Sequence, residues 1–76
     1  MNVDRSVALH KLLIRLEADS WSLKPKCAVA DTPFYEFEFD EDGRLYIDRR
    51  QTPFEVVEIG DKKSQDADIR RLKKRA

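Results

Sequence analysis

The chain has 76 residues, 41% of them hydrophobic and 39% charged, with 15 basic side chains balancing 15 acidic ones. That length builds one small core and leaves no room for a two-domain enzyme with a deep cleft. No apolar run approaches the roughly 20 residues of a membrane span, and one cysteine, Cys27, cannot form an intramolecular disulfide.

The N-terminus has an acid at Asp4, no basic leader and no small-residue cleavage pattern, so no signal peptide is expected. A lone thiol fits a reducing compartment, and the expected location is cytoplasmic. The neutral total hides an uneven layout. Residues 1–30 carry net +2, 31–48 net −6, 49–60 zero and 61–76 net +4. The chain therefore has an acidic middle and a basic end.

Residues 3–19 read as a helix. At 100° per residue, Leu9, Leu12, Leu13 and Leu16 share one sector, the stripe expected to face the core. Asn2 or Asp4 suits the N-cap, where a short side-chain oxygen accepts from a free backbone N–H. Val3, Val7, His10, Ile14 and Ala18 gather on roughly the opposite side. A second apolar stripe is covered by the rest of the chain or by a partner. Val3, Val7 and Ile14 are thus candidate homodimer contacts.

Residues 20–33 read as irregular, with Lys24-Pro25-Lys26 extended. Cys27 and Val29 could form a short edge strand, and Pro25 argues against a central one. Trp21 is expected to close one end of the core.

Residues 34–40 and 44–49 alternate with period two around Glu41-Asp42-Gly43 and predict a β-hairpin. A three-residue loop, Glu41–Gly43, would pair Phe39 with Leu45, Phe37 with Ile47, Glu36 with Asp48 and Glu38 with Tyr46. Gly43 would then take the left-handed conformation of a bulged turn. Residues 54–60 predict a third strand. The adjacent Val56 and Val57 blur its alternation, but TPFYEFEFD (32–40) and TPFEVVEIG (52–60) align without gaps, which turns Val57 and Ile59 inward.

Residues 64–76 suit a short basic helix capped by Ser64, with Asp66 and Asp68 at its positive end and Asp66 paired to Arg70. Its few apolar residues, Ile69 and Leu72, leave it frayed unless docked.

These elements predict an α+β fold. The N-terminal helix packs on a three-stranded antiparallel β-meander to form a domain over residues 1–62. A short basic C-terminal helix or tail follows over 63–76.

The residues argue against chemistry. One Cys and one His give only the pair Cys27 and His10, with nothing near either to support a nucleophile. Zinc wants three or four Cys, His or carboxylate ligands, and the chain has no Cys pair and no His pair. Aligning the acidic turn to a calcium loop with Gly43 at its sixth position puts Arg49 where a bidentate carboxylate must stand. Two glycines, Gly43 and Gly60, make no phosphate loop. No catalytic residue, metal or cofactor is expected.

Two surfaces remain as candidates. The outward sheet face carries Phe34, Glu36, Glu38, Asp40, Tyr46, Asp48, Phe54, Val56 and Glu58 in the register above. Of these, Phe34, Glu36, Glu38, Tyr46, Asp48, Phe54 and Glu58 are the candidate protein-binding residues. Aromatic anchors among carboxylates suit a basic surface on a larger protein, which fits a small regulator or inhibitor. The alternative is weakly sequence-specific binding of RNA or DNA phosphates by Arg70, Arg71, Lys73, Lys74 and Arg75. No aromatic is interleaved there to stack on bases.

Overall fold

The computed structural model describes residues 3–76. Helix α1 spans Val3–Ala18, and strands β1, β2, β3 and β4 span Cys27–Ala28, Phe34–Glu38, Gly43–Asp48 and Glu55–Asp61. Helix α2 spans Gln65–Arg75. The strands form one antiparallel sheet in the order β1-β2-β3-β4. The class is α+β, with four strands where three were expected. Cys27–Ala28 supplies the fourth, pairing with Glu36 and Tyr35 at the edge. Asn2, a candidate cap of α1, lies outside the described residues.

The β2–β3 register departs from the expected one by two residues. Phe37 faces Leu45, Glu36 faces Tyr46, Tyr35 faces Ile47 and Phe34 faces Asp48. Asp40 explains the shift. Its Oδ1 accepts from the backbone N–H groups of Asp42 and Gly43, so the turn starts earlier, closing on the bond from the Phe39 N–H to the Gly43 carbonyl at 3.2 Å, and Asp40 falls within it. The Gly43 N–H bond also holds the Asp40 carboxyl below its ordinary pKa. No glycine has a positive φ, so Gly43 is not there for a left-handed turn. It is there for space: a Cβ at 43 would run into the Phe39 ring.

A two-residue slip keeps every side chain on its face, and the sheet is packed on both. Tyr35, Phe37, Leu45 and Ile47 meet Leu9, Leu12, Leu13 and Leu16 of α1, the stripe the periodicity marks. The opposite face, expected to meet solvent, is covered by α2. Leu72 packs there with Val29, Phe34, Tyr46 and Val57, and Ile69 lies against them. The C-terminal segment is therefore a docked helix that shares a core with the sheet.

Strand β4 is bulged. Tyr46 faces Glu58 and Ile47 faces Val56, which leaves Val57 as the extra residue. The bulge turns Val57 toward α2, away from the α1 side that the internal echo predicts, while Ile59 stays 42% exposed. Arg75 of α2 donates to the Val57 carbonyl at 3.0 Å and occupies a backbone acceptor on this edge strand.

Local expectations at the entry to α2 also change. Ser64 makes no side-chain cap bond; its hydroxyl donates to Asp68 Oδ2 at 2.7 Å, and its N–H donates to Asp61 Oδ1 at 2.9 Å. Asp66 and Arg70 form no ion pair among the described residues, whereas Arg71 pairs with Asp68 and Glu58. Gly60 leaves room for this arrangement, because a Cβ there would strike the Asp68 carboxylate.

Candidate functional site

The proposed acidic face is now an interior. Phe34, Glu36, Tyr46 and Asp48 are buried, Glu36 to 1% exposure. They present no open surface: α2 packs on Phe34, Tyr46 and Glu36 through Leu72 and Gln65, and Arg50 covers Asp48. Glu36 Oε1 accepts from Gln65 Nε2 of α2 at 2.8 Å, and its Oε2 accepts from the Cys27 thiol at 3.6 Å. Burial, then the approach of the Glu36 carboxylate, pushes the Tyr46 phenol well above its ordinary pKa. Tyr46 Oη has no acceptor or donor within hydrogen-bonding geometry. Asp48 is clamped by Arg50, whose guanidinium donates through Nε to Oδ1 at 3.1 Å and through Nη2 to Oδ2 at 2.9 Å and holds the carboxyl low.

The remaining members of that set separate. Phe54 packs in the α1-side core, on the other face of the sheet. Glu58 is half-buried beneath Arg71. Glu38 alone is well exposed, and it is shared between Lys26 at 3.6 Å and Arg44 at 3.9 Å. The structure therefore brings Glu36 and Tyr46 together in the core and leaves no acidic aromatic patch in the open.

The basic set divides as well. Arg71 and Arg75 turn toward β4, where Arg71 meets Glu58 at 3.3 Å and Arg75 meets Glu55 at 3.8 Å. Arg70, Lys73 and Lys74 occupy the outer side of α2, exposed and without an ion pair among the described residues. Lys62 and Lys63 stand exposed in the preceding turn.

Cys27 and His10 form no dyad. The Cys27 thiol is bonded to Glu36, and burial followed by that carboxylate pushes its pKa up, which lowers the thiolate fraction a nucleophile needs. No cluster of three or more metal-binding side chains occurs among the described residues. No helix among them is long and apolar enough to cross a membrane.

Three of the exposed large apolar side chains lie together on α1, the others being Trp21 after it and Val56 and Ile59 on β4. Val3, Val7 and Ile14 are 78%, 46% and 52% exposed. With Ser6, His10 and Lys11, Val3 and Val7 shape a shallow groove along the outside of the helix, and Ile14 lies beyond it. Trp21, expected to close the core, is instead 64% exposed at the end of α1.

Arg49 is the residue that sequence reasoning missed. It is buried, and its guanidinium carbon sits 5.2 Å from the Trp21 ring centre, 4.8 Å from that of Tyr35 and 5.2 Å from that of Phe37. It also donates to the carbonyl of Leu23 and so ties the loop after α1 to the sheet. A signal existed: strand alternation past Asp48 sends position 49 to the aromatic face. Beside that loop, α1 and β2 enclose a cleft. Its floor is Leu12, Leu23, Pro25 and Phe37, and its rim is Arg15, Lys24, Lys26 and Glu38.

No protein-family model matches the chain, and neither a curated protein nor a solved structure matches it.

Proposed function

We propose that this chain is a non-enzymatic protein-interaction module, acting by occupancy as a small regulator would, and that its binding surface is the outer stripe of α1. The observation that carries this reading is the exposure of Val3, Val7 and Ile14 along one side of a helix whose other side is already committed to the core. α2 is spent on the opposite face of the sheet, so no described segment covers the stripe.

The stripe is complementary to itself. Laid antiparallel on a second copy, Val3 meets the partner's Ile14 and Val7 meets the partner's His10. On one flank Asp4 then comes within two residues, about 3 Å along the axis, of the partner's Lys11, and the symmetry makes that contact twice. A single helix pair is a small interface, so the dimer is reversible and concentration-dependent.

Sedimentation equilibrium tests this. The chain should approach twice its monomer mass as concentration rises, and Val7→Glu with Ile14→Glu should keep it monomeric with an unchanged melting temperature. Lys11→Asp should weaken the dimer, and Asp4→Lys added to it should restore it. A monomer at every concentration would overturn the homotypic reading.

A second reading keeps the nucleic-acid alternative and rests on the outer row of α2. Arg70, Lys73 and Lys74, with Lys62 and Lys63 nearby, have no intramolecular carboxylate partner among the described residues, whereas Arg71 and Arg75 do. Charge reversal at Arg70, Lys73 and Lys74 should then abolish a salt-sensitive shift of RNA or DNA in a gel while the fold persists. A shift that survives the reversal would reject the reading.

A further inference from the structure

We infer that the cleft between α1, the loop after it and β2 is a binding site for a small amphipathic carboxylate, a compact apolar body carrying one acid group. This site is separate from the α1 outer stripe, and neither reading depends on the other.

The cleft has a volume of about 510 Å³, within the range of small-molecule sites. Its floor is apolar. Phe37 is buried, and Leu12, Leu23 and Pro25 are half-buried around it. Its mouth is cationic, with Arg15 on α1 and Lys24 and Lys26 on the loop, against a single carboxylate, Glu38.

That carboxylate is already divided between Lys26 and Arg44. Arg15 and Lys24 have no ion pair among the described residues. In a chain with as many acids as bases, two cations left over at the edge of an apolar hollow select an anion with a hydrophobic part. The acid would lie between Arg15 and Lys24, and the apolar body would fall toward Phe37.

The walls are held before any ligand arrives. Arg49 donates to the Leu23 carbonyl, and the Lys26 N–H donates to the Glu36 carbonyl at 2.8 Å. Ser20 Oγ donates to the Pro53 carbonyl at 2.8 Å, and Asp19 Oδ1 accepts from the N–H groups of Trp21 and Ser22. A loop fixed at both ends loses little freedom on binding, so more of the contact energy appears as affinity.

The test is a titration of the full chain with 1-naphthoate, 1-naphthalenemethanol and acetate, followed by amide chemical shifts. Naphthoate should give saturable shifts at Leu12, Leu23, Lys24, Lys26 and Phe37. The neutral alcohol should bind about tenfold more weakly, since it lacks the charge-assisted bonds. Acetate should give no saturable shift. Arg15→Gln with Lys24→Gln should remove the naphthoate preference over the alcohol without altering the melting temperature, because both side chains are exposed. Equal binding of naphthoate and the alcohol, saturation by acetate, or no saturable naphthoate shift at these residues would each overturn the proposal.

Discussion

Replacing Leu72 by Ala should remove about 2–5 kcal/mol of stability, the cost of deleting a fully buried leucine and leaving its cavity. Leu72 is 0% exposed and packs with Val29, Phe34, Tyr46 and Val57, contributed by the loop before β2 and by three strands. At about 0.05–0.15 kcal/mol per residue, a chain of this length has only about 4–11 kcal/mol in total. The loss is therefore a large share of the whole. Urea unfolding should show it as a midpoint lower by about 2–5 M, given a slope of about 1 kcal/mol/M, the low end for small proteins. Lys73→Ala, one residue along on the outer side of α2, should change stability by less than about 0.5 kcal/mol. The pair of variants reports on docking directly. In a frayed tail the two would behave alike; in a helix that closes the second core they differ by several fold. Leu16→Ala supplies the matching measurement for the α1 side, since Leu16 is also fully buried. Comparable losses at 16 and 72 would show that the sheet depends on helices from both sides.

The reason α2 was harder to read than α1 lies in how little apolar material it carries. Four leucines at helical spacing identify the inner stripe of α1, and the structure puts all four in the core. Ile69 and Leu72 are two residues in a segment otherwise full of charge, and their contribution depends on meeting Phe34, Tyr46 and Val57. That meeting is a tertiary fact with no local periodicity. The sheet misled in the same way. Phe34, Glu36, Tyr46 and Asp48 alternate with apolar residues and so look like a solvent face. Charge was the wrong criterion, because a carboxylate can be buried when a neighbouring element supplies donors. Gln65 does so for Glu36, and Arg50 does so for Asp48.

Register divides along the same line. Alternation fixes which residues share a face, and that part was legible in β2 and β3. It does not distinguish offsets that differ by two. The choice fell to the Asp40 side chain, which bonds the N–H groups of Asp42 and Gly43 and decides where the turn begins. The candidate sites followed from these errors. The outer stripe of α1 was visible as a second apolar sector and stays exposed, whereas the cleft beside β2 is assembled from residues as distant in the chain as Leu12 and Phe37 and had no sequence signature.

Replacing Glu36 by Lys should abolish cooperative folding. Glu36 sits in the middle of β2, opposite Tyr46 on one side and Cys27 on the other, with Gln65 of α2 directly on its carboxylate. An ammonium at this position would lose the Gln65 bond that joins helix to sheet and would place a charge where no solvent reaches. A buried charge with no partner is among the costliest single changes a protein can carry, and a chain this small has little stability to lose. Glu36→Gln keeps the shape and an acceptor for Gln65, so it should fold and melt cooperatively. Glu38→Lys, on the same face but 43% exposed, should cost much less than Glu36→Lys, since its pair with Lys26 is exposed and its contact with the buried Arg44 is long, at 3.9 Å. The three variants, followed by circular dichroism during thermal melting, separate two roles for the acidic residues. If Glu36→Lys unfolds and Glu38→Lys does not, the carboxylates of the sheet serve the core, and a charge-reversal test of partner binding has to avoid position 36. If Glu36→Lys instead melts like the parent, α2 lifts from the sheet at little cost. The acidic aromatic face would then be a surface the chain can open, and the interaction site would move from α1 to the place α2 vacates.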